Sequence, residues 1–264
     1  MSLLLPDVLT LQVSPQGVRA VACSGWRRRR TALPAVAVAV HAADGWQGLS
    51  DACASLTKTA RYQQTRVILS DGLVRYACAP WQAQLRNHQE DCALAMLQFD
   101  DVYGAQSSAG WHFAFTQDAP GAARLSVAIP QSLLDLLHAR CAGTLPPVTS
   151  ISTAFSSALR SHRKHLADEA WLIHWEADRV SWGSWNLDGW NRGHSQQISL
   201  PTTQALLAFF RRELKLLGLA ATAEAPVQVY LHAPGLNATT GLNATGLRLV
   251  VLDSALPAIG GLTA

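Results

Sequence analysis

The amino-acid sequence predicts an α/β protein of two tandem lobes, each a mixed sheet covered by helices. Two observations lead there. An opening order of hairpin, third strand, helix and further strand returns after residue 165. Strand-period and helix-period apolar patterns also alternate along the chain, and sheets interleaved with helices bury their faces beneath those helices rather than in a sandwich. A chain of 264 residues, 49% hydrophobic and only 15% charged, is long enough for two cores and too apolar to be disordered. The expected division is a first lobe over 1–165 and a smaller second lobe over 166–264 with a flexible C-terminal tail, Gly260 to Ala264.

Val8 to Val13 reads as a strand, Ser14-Pro15-Gln16-Gly17 as a turn and Val18 to Cys23 as the returning strand. Proline at the second turn position and glycine at the fourth suit a type I turn. The basic run Arg27 to Arg30 reads as a solvated loop before a third strand, Ala35 to His41. Gly45 to Thr59 carries Leu49, Cys53 and Leu56 at helical spacing. Strands over Arg66 to Leu69 and Leu73 to Ala79 flank the turn Ser70-Asp71-Gly72. His88 to Val102 is a helix with Cys92, Met96 and Phe99 along one stripe, stopped by Gly104. After strands at Trp111 to Phe115 and Leu125 to Ile129, Pro130 is placed to begin a helix over Gln131 to Arg140, with Leu133, Leu134 and Leu137 inward. Gly143 to Pro147 breaks the chain, and a helix over Ser152 to His162 leads into the charged boundary stretch.

In the second half, Ala170 to Trp175 and Val180 to Trp185 are strands around Glu176-Ala177-Asp178, and Ser195 to Leu200 is the third. Thr203 to Leu217 is a helix with Leu206, Phe210, Leu214 and Leu217 on one face, ended by Gly218. Val227 to Leu231 and Leu247 to Leu252 are buried strands separated by a turn-rich near-repeat over 235–246. Trp171, Trp175, Trp182, Trp185 and Trp190 crowd three of these strands. They serve the core or an edge cap, with at least one ring a candidate interface anchor.

Composition narrows the function classes. The net charge of +3 has one concentrated source, Arg27 to Arg30, so a nucleic-acid groove with stacking platforms is not expected. Cys23, Cys53, Cys78, Cys92 and Cys141 are odd in number and never form a CxxC pair, which suits small thiols in or beside apolar segments rather than a disulfide or zinc framework. No signal-peptide pattern opens the chain and no run of about eighteen apolar residues occurs, so a soluble protein is expected. Phosphate-loop, dinucleotide, serine-elbow and zinc-helix motifs are missing.

Two such lobes resemble the duplicated ribonuclease-H-like architecture of actin, sugar kinases and heat-shock ATPases. A narrower resemblance lies in Val67-Ile68-Leu69-Ser70-Asp71-Gly72-Leu73-Val74-Arg75-Tyr76, then Pro80-Trp81-Gln82, then Phe99 to Gly104. This resembles the actin-like proteins of bacterial envelope machinery, namely the cytoplasmic domain of the type II secretion platform protein L and the type IV pilus assembly protein M. The resemblance covers about residues 8–252 in order of elements and is specific only near 67–104. It implies a non-catalytic cytoplasmic adaptor, peripheral to the inner membrane through a partner. Protein components of a pilus or secretion platform, including its assembly ATPase, are the implied partners, with a second copy of the chain as a further candidate. The secretion L protein continues into a membrane anchor, whereas this chain ends at Ala264.

The enzyme alternative is a nucleotide-binding ATPase or kinase of the same superfamily, using ATP with magnesium. Active relatives of that architecture are expected to carry an Asp-x-Gly arrangement at the first hairpin turn. Here Ser14-Pro15-Gln16-Gly17 keeps the glycine, has no carboxylate, and Pro15 has no N–H for a phosphate. The second hairpin offers Glu176 and Asp178, acids common in strand turns. Asp7, Asp44, Asp71, Asp100 and Asp101 show no pattern that gathers them for two-metal chemistry. His162 and His165 are three apart near a helix end without a completing ligand, which favours a solvated basic linker. The sequence therefore assigns no catalytic, cofactor-binding or metal residue.

Overall fold

A computed structural model describes residues 8–24, 29–32, 36–37, 40–56, 63–85, 87–116, 121–141, 147–176, 179–198, 203–216, 226–234 and 246–252. The first part of the chain runs β1 (Val8–Ser14), β2 (Gly17–Ser24), β3 (Arg29–Ala32), β4 (Val36–Ala37), α1 (Gln47–Leu56), β5 (Gln64–Leu69), β6 (Arg75–Ala79), α2 (His88–Tyr103), β7 (Trp111–Phe115), β8 (Arg124–Pro130), α3 (Gln131–Cys141), β9 (Val148–Thr153) and α4 (Ala154–His162). It continues through β10 (Ala170–Glu176), β11 (Arg179–Asn186), β12 (Gly189–Gln197), α5 (Thr203–Leu216), β13 (Val227–His232) and β14 (Leu247–Leu252).

The described strands form two sheets of matching order and one smaller sheet. In the first, β3-β2-β1 are antiparallel and β5 and β9 continue in parallel, with β4 beside β2. In the last, β12-β11-β10 are antiparallel and β13 and β14 continue in parallel. The α/β pattern of hairpin, third strand and crossover thus occurs twice. Between the two, β6-β8-β7 make an antiparallel sheet of their own, which periodicity does not reveal because it locates strands without naming their partners. Ala77, Ala95 and Ala128 are buried there and let α2 lie close, with Phe99 edge-on to Phe113 at 4.9 Å.

Some boundaries differ from expectation. Strand β9 precedes α4, where only a helix is expected, since Val148-Thr149-Ser150-Ile151 lacks clean alternation. Its last residue caps the helix: the Thr153 hydroxyl accepts from the Ser156 N–H. The arginine run is not all loop, because Arg29 and Arg30 begin β3 and pair with Ser24 and Cys23. Arg27 and Arg28 lie outside the described residues, as do Leu217, Gly218, the 235–245 part of the near-repeat and the C-terminal tail. Of the strand expected over Ala35 to His41, Val36 and Ala37 form β4 and residues 35, 38 and 39 lie outside the described residues, while β12 begins at Gly189 rather than Ser195. On α2 the inward stripe is Ala95 and Phe99, while Met96 is exposed. Among the described residues Cys53, Cys78 and Cys92 form no disulfide, and Cys53 is buried.

The largest core crosses from one matching sheet to the other. Leu9, Leu11, Val13, Val67 and Leu69 share it with Ala170, Leu172, Tyr230 and Leu252. A second core holds Trp171, Ile173 and Trp175 against Phe209, Phe210 and Leu214 of α5. Strand β10 therefore divides by parity, odd residues toward α5 and even residues toward the first sheet. Four of the five clustered tryptophans are buried, with Trp171 stacked on Trp182 at 5.0 Å, and only Trp185 is half-buried. Among the described residues, no helix is long and apolar enough to cross a membrane.

Candidate functional site

The even face of β10 carries two polar side chains, His174 and Glu176, into the junction between the matching sheets. They meet the turn that follows β5. There the Ser70 hydroxyl accepts from the Gly72 N–H at 3.1 Å and shapes a short 3-10 turn over Asp71–Leu73. Asp71 is fully buried. Its Oδ1 accepts from the Tyr76 hydroxyl at 2.7 Å and from the Phe155 N–H at 3.1 Å. The second of these places the carboxylate at the positive N-terminal end of α4. Oδ2 lies 2.7 Å from His174 Nδ1. Across the junction, Glu176 Oε2 accepts from the Ser70 hydroxyl at 2.8 Å and the Asp71 N–H at 3.0 Å, while Oε1 has no partner among the described residues. The His174 ring stacks on His232 at 5.1 Å, and His232 in turn lies 5.5 Å from His162.

The electrostatics follow from burial and from these contacts. Burial alone pulls the His174 pKa down, but the Asp71 charge, its hydrogen bond and the Glu176 charge outweigh it, and the net shift is upward. Burial pushes Glu176 up; the His174 cation opposes this, Asp71 reinforces it, and the result is raised. Tyr76 is held well above the usual phenol range by burial and then by Asp71, so it remains a donor. His232 goes the other way, down to about 3, from burial first and then from repulsion by His174 and His162, with Asp71 opposing.

A neutral buried His232 makes the fold acid-sensitive. Its folded pKa is depressed below the ordinary value near 6.5, so the unfolded chain takes up a proton that the folded chain refuses. Stability present above about 6.5 is lost as pH falls toward 3, with a slope of at most roughly 1.4 kcal/mol per pH unit for one group. His174 has the opposite sign: its contribution is present below about 6.5 and is lost as pH rises through its raised folded value. Urea denaturation between pH 4 and 7 is expected to show a shallower acid limb in His232→Leu than in the unaltered chain. Parallel limbs would refute the assignment to His232.

One ligand atom each from Asp71, His174 and Glu176 lies within 4.8 Å of the others, which is the spacing of a metal cluster. The donors are engaged with one another and with neighbouring groups of the chain. Both Asp71 oxygens and Glu176 Oε2 already accept hydrogen bonds or pair with His174, leaving Glu176 Oε1 as the one uncommitted oxygen of the two carboxylates. What the arrangement does is fasten the two matching sheets together by polar contacts between residues about a hundred positions apart.

The first hairpin turn closes on the same junction. Ser70 N donates to the Val13 carbonyl at 2.7 Å, and Val40 N donates to the Pro15 carbonyl at 2.9 Å. A Cβ on Gly72 would stand 3.0 Å from Pro15 Cγ, so the two turns are packed against each other. Of the acids considered from sequence, Glu176 lies in this junction and Asp178 lies outside the described residues, as does Asp7. The five aspartates show no gathering pattern in sequence, and Asp44, Asp100 and Asp101 do not join the site. Asp71 meets Glu176 rather than another aspartate, where the turn after β5 reaches the end of β10. Asp100 instead accepts from Ser108 N at 2.9 Å, a bond that holds its carboxyl below the usual range. His162 and His165 do not converge, for His165 is exposed and His162 packs beside His232.

Residues of the 67–104 phrase furnish much of the junction. Besides Ser70, Asp71 and Tyr76, the Tyr103 hydroxyl donates to the Tyr76 carbonyl at 2.7 Å and its ring stacks on His194 of β12 at 5.3 Å. Burial pushes the Tyr103 hydroxyl up to about 12.

No protein-family model matches the chain, and no curated protein matches it in sequence. Solved structures do match. A Bacteroides thetaiotaomicron protein with an actin-like ATPase fold and unknown function superposes with a TM-score of 0.60 at 12% identity, over 94% of this chain and 91% of that one. The cytoplasmic domain of EpsL, an inner membrane component of the type II secretion system of Vibrio cholerae, superposes with a TM-score of 0.53 at 14% identity, over 94% of this chain and 90% of that one.

Proposed function

We propose that this chain, which has the actin-like fold, is a non-catalytic adaptor of a bacterial type II secretion or type IV pilus assembly machinery. The observation that carries the reading is the lobe junction. An actin-like ATPase positions a metal and phosphates between its lobes, with carboxylates and hairpin N–H groups directed at them. Here the carboxylates of Asp71 and Glu176 are directed at Ser70, Tyr76, Phe155 and His174 of the same chain, and the first hairpin turn presents proline against Gly72. The secretion context rests on the 67–104 phrase and agrees with the fold shared with the EpsL cytoplasmic domain. Secretion- or pilus-platform proteins are accordingly the proposed partners, with attachment to the inner membrane through them.

Two measurements test the reading. Titration calorimetry with ATP and magnesium is expected to give no heat of binding, and phosphate release no turnover. Affinity capture from cells is expected to recover an envelope-assembly component. Robust ATP turnover abolished by Glu176→Gln would replace the adaptor reading with the nucleotide-enzyme one. Capture that recovers no such component, under conditions that preserve known platform contacts, would remove the secretion context.

A further inference from the structure

Away from the lobe junction, the tip of the β11–β12 hairpin, the β7–β8 strands and the outer face of α4 enclose an open cleft of about 700 Å³. Its floor is apolar: Val127, Ile151 and Leu159 are half-buried and face it. One wall is rigid. The Trp185 indole N–H donates to the Ala167 carbonyl at 3.0 Å, and its ring stands edge-on to the buried Trp190 at 5.4 Å. On the rim Leu187 is 79% exposed, a large apolar side chain at a turn with nothing over it among the described residues. Charge is one-sided. Arg160 and Arg163, one turn apart on the α4 side, both line the cleft and are exposed. Neither makes an ion pair among the described residues, and no carboxylate lines the cleft.

We infer that this cleft docks an acidic segment of a partner protein, a short stretch with a large aliphatic or aromatic side chain beside one or two carboxylates. The apolar side chain fills the floor between Leu159 and Trp185, and the carboxylates pair with Arg160 and Arg163. Charge complementarity selects that occupant. A basic segment would be repelled by both arginines, and a purely apolar one would leave them without the partners that a partly desolvated rim rewards. A rigid tryptophan wall and an exposed leucine rim are also features of protein-binding surfaces rather than of solvated ones. The inference refines the adaptor reading by giving its partner a chemistry, but the site itself does not depend on which machinery supplies that partner.

The test uses the purified full chain and a phage-displayed library of random dodecapeptides, with the selected peptides then measured by fluorescence anisotropy. Selected peptides are expected to combine Asp or Glu with Leu, Phe or Trp. They are expected to lose about tenfold or more in affinity against Arg160→Glu/Arg163→Glu, and comparably against Ser156→Trp, which fills the cleft without altering charge. Exposed arginines tolerate reversal, so melting temperatures are expected to stay close to that of the unaltered chain. No enrichment, enrichment of basic peptides, or affinity unchanged in both variants would overturn the inference. So would a fatty-acid-like carboxylate retained in native mass spectrometry and released by the arginine reversals, since the occupant would then be a small amphiphile. Failure here together with capture of a secretion component would move the adaptor's contact elsewhere. Acidic peptides bound here without any such capture would keep the cleft as a docking site and sink the secretion reading instead.

Discussion

Asp71→Ala is expected to destabilise the protein by roughly 3–5 kcal/mol, the cost of leaving a buried charge without its partner. The change strips His174 of its counter-ion and leaves the Tyr76 hydroxyl and the Phe155 N–H without the oxygen they share. Two further variants divide that loss. Tyr76→Phe removes one neutral donor and keeps the pair, so about 1 kcal/mol is expected, nearer 2 where the Asp71 charge strengthens the bond. Asp71→Asn keeps an acceptor for Tyr76 and Phe155 but removes the charge that raises His174, and its stability is expected to lose the decline toward alkaline pH that His174 produces. Equilibrium urea denaturation at pH 6 and pH 8 measures all three. An Asp71→Ala loss below about 1 kcal/mol would mean that the junction is hydrated and the pair contributes no more than an exposed one.

Gly189→Ala is expected to cost roughly 2–5 kcal/mol, from backbone strain together with steric overlap. Gly189 sits at φ +108° in the β11–β12 hairpin, where it bridges to Ala123 and the next residue, Trp190, donates to the Ala123 carbonyl at 3.1 Å. A Cβ there would lie 2.8 Å from the Ala123 carbonyl oxygen and 2.9 Å from its nitrogen, backbone atoms that cannot turn aside as a side chain can. Gly104→Ala is the control. It has a similar φ of +104° with nothing within 4 Å of the new Cβ, so it reports strain alone, about 1–3 kcal/mol. The excess of Gly189→Ala over Gly104→Ala measures how firmly the hairpin tip is held against β8. Equal losses in thermal and urea melts would show that the tip yields freely.

Most elements were legible because their signals are local. The hairpin of β1 and β2, the α3 helix behind Pro130 and the β10–β11 pair all follow from alternation, helical spacing or turn residues. The failures are those of pairing. Nothing within Arg75–Ala79 distinguishes a strand of the first sheet from one that joins β8, and the partner decides. The same holds for the site. In sequence the strand from Ala170 ends at Trp175 and leaves Glu176 in the turn, whereas β10 runs on to Glu176 and sets it on the same buried face as His174. Their partner was no more legible. Asp71 occupies a Ser-Asp-Gly turn that looks like any exposed turn, and only the meeting of the two sheets shows it to be fully buried. The cleft was still less visible, since its walls come from three separated stretches. Trp185 was notable in sequence as one of five, not as the one left half-buried.

The Asp71–His174 contact spans 103 residues, and that distance is also a delay. At a synthesis rate of roughly 5–20 residues per second, Asp71 leaves the ribosome about 5–20 s before His174 does. Through that interval the first sheet lacks Leu172 and Tyr230, which complete its core, and its turn holds a carboxylate with no cation opposite. The early chain is therefore an unfinished surface rather than a waiting domain. A nascent chain stalled before residue 170 is expected to be held by chaperones or degraded, and one released after β14 to fold.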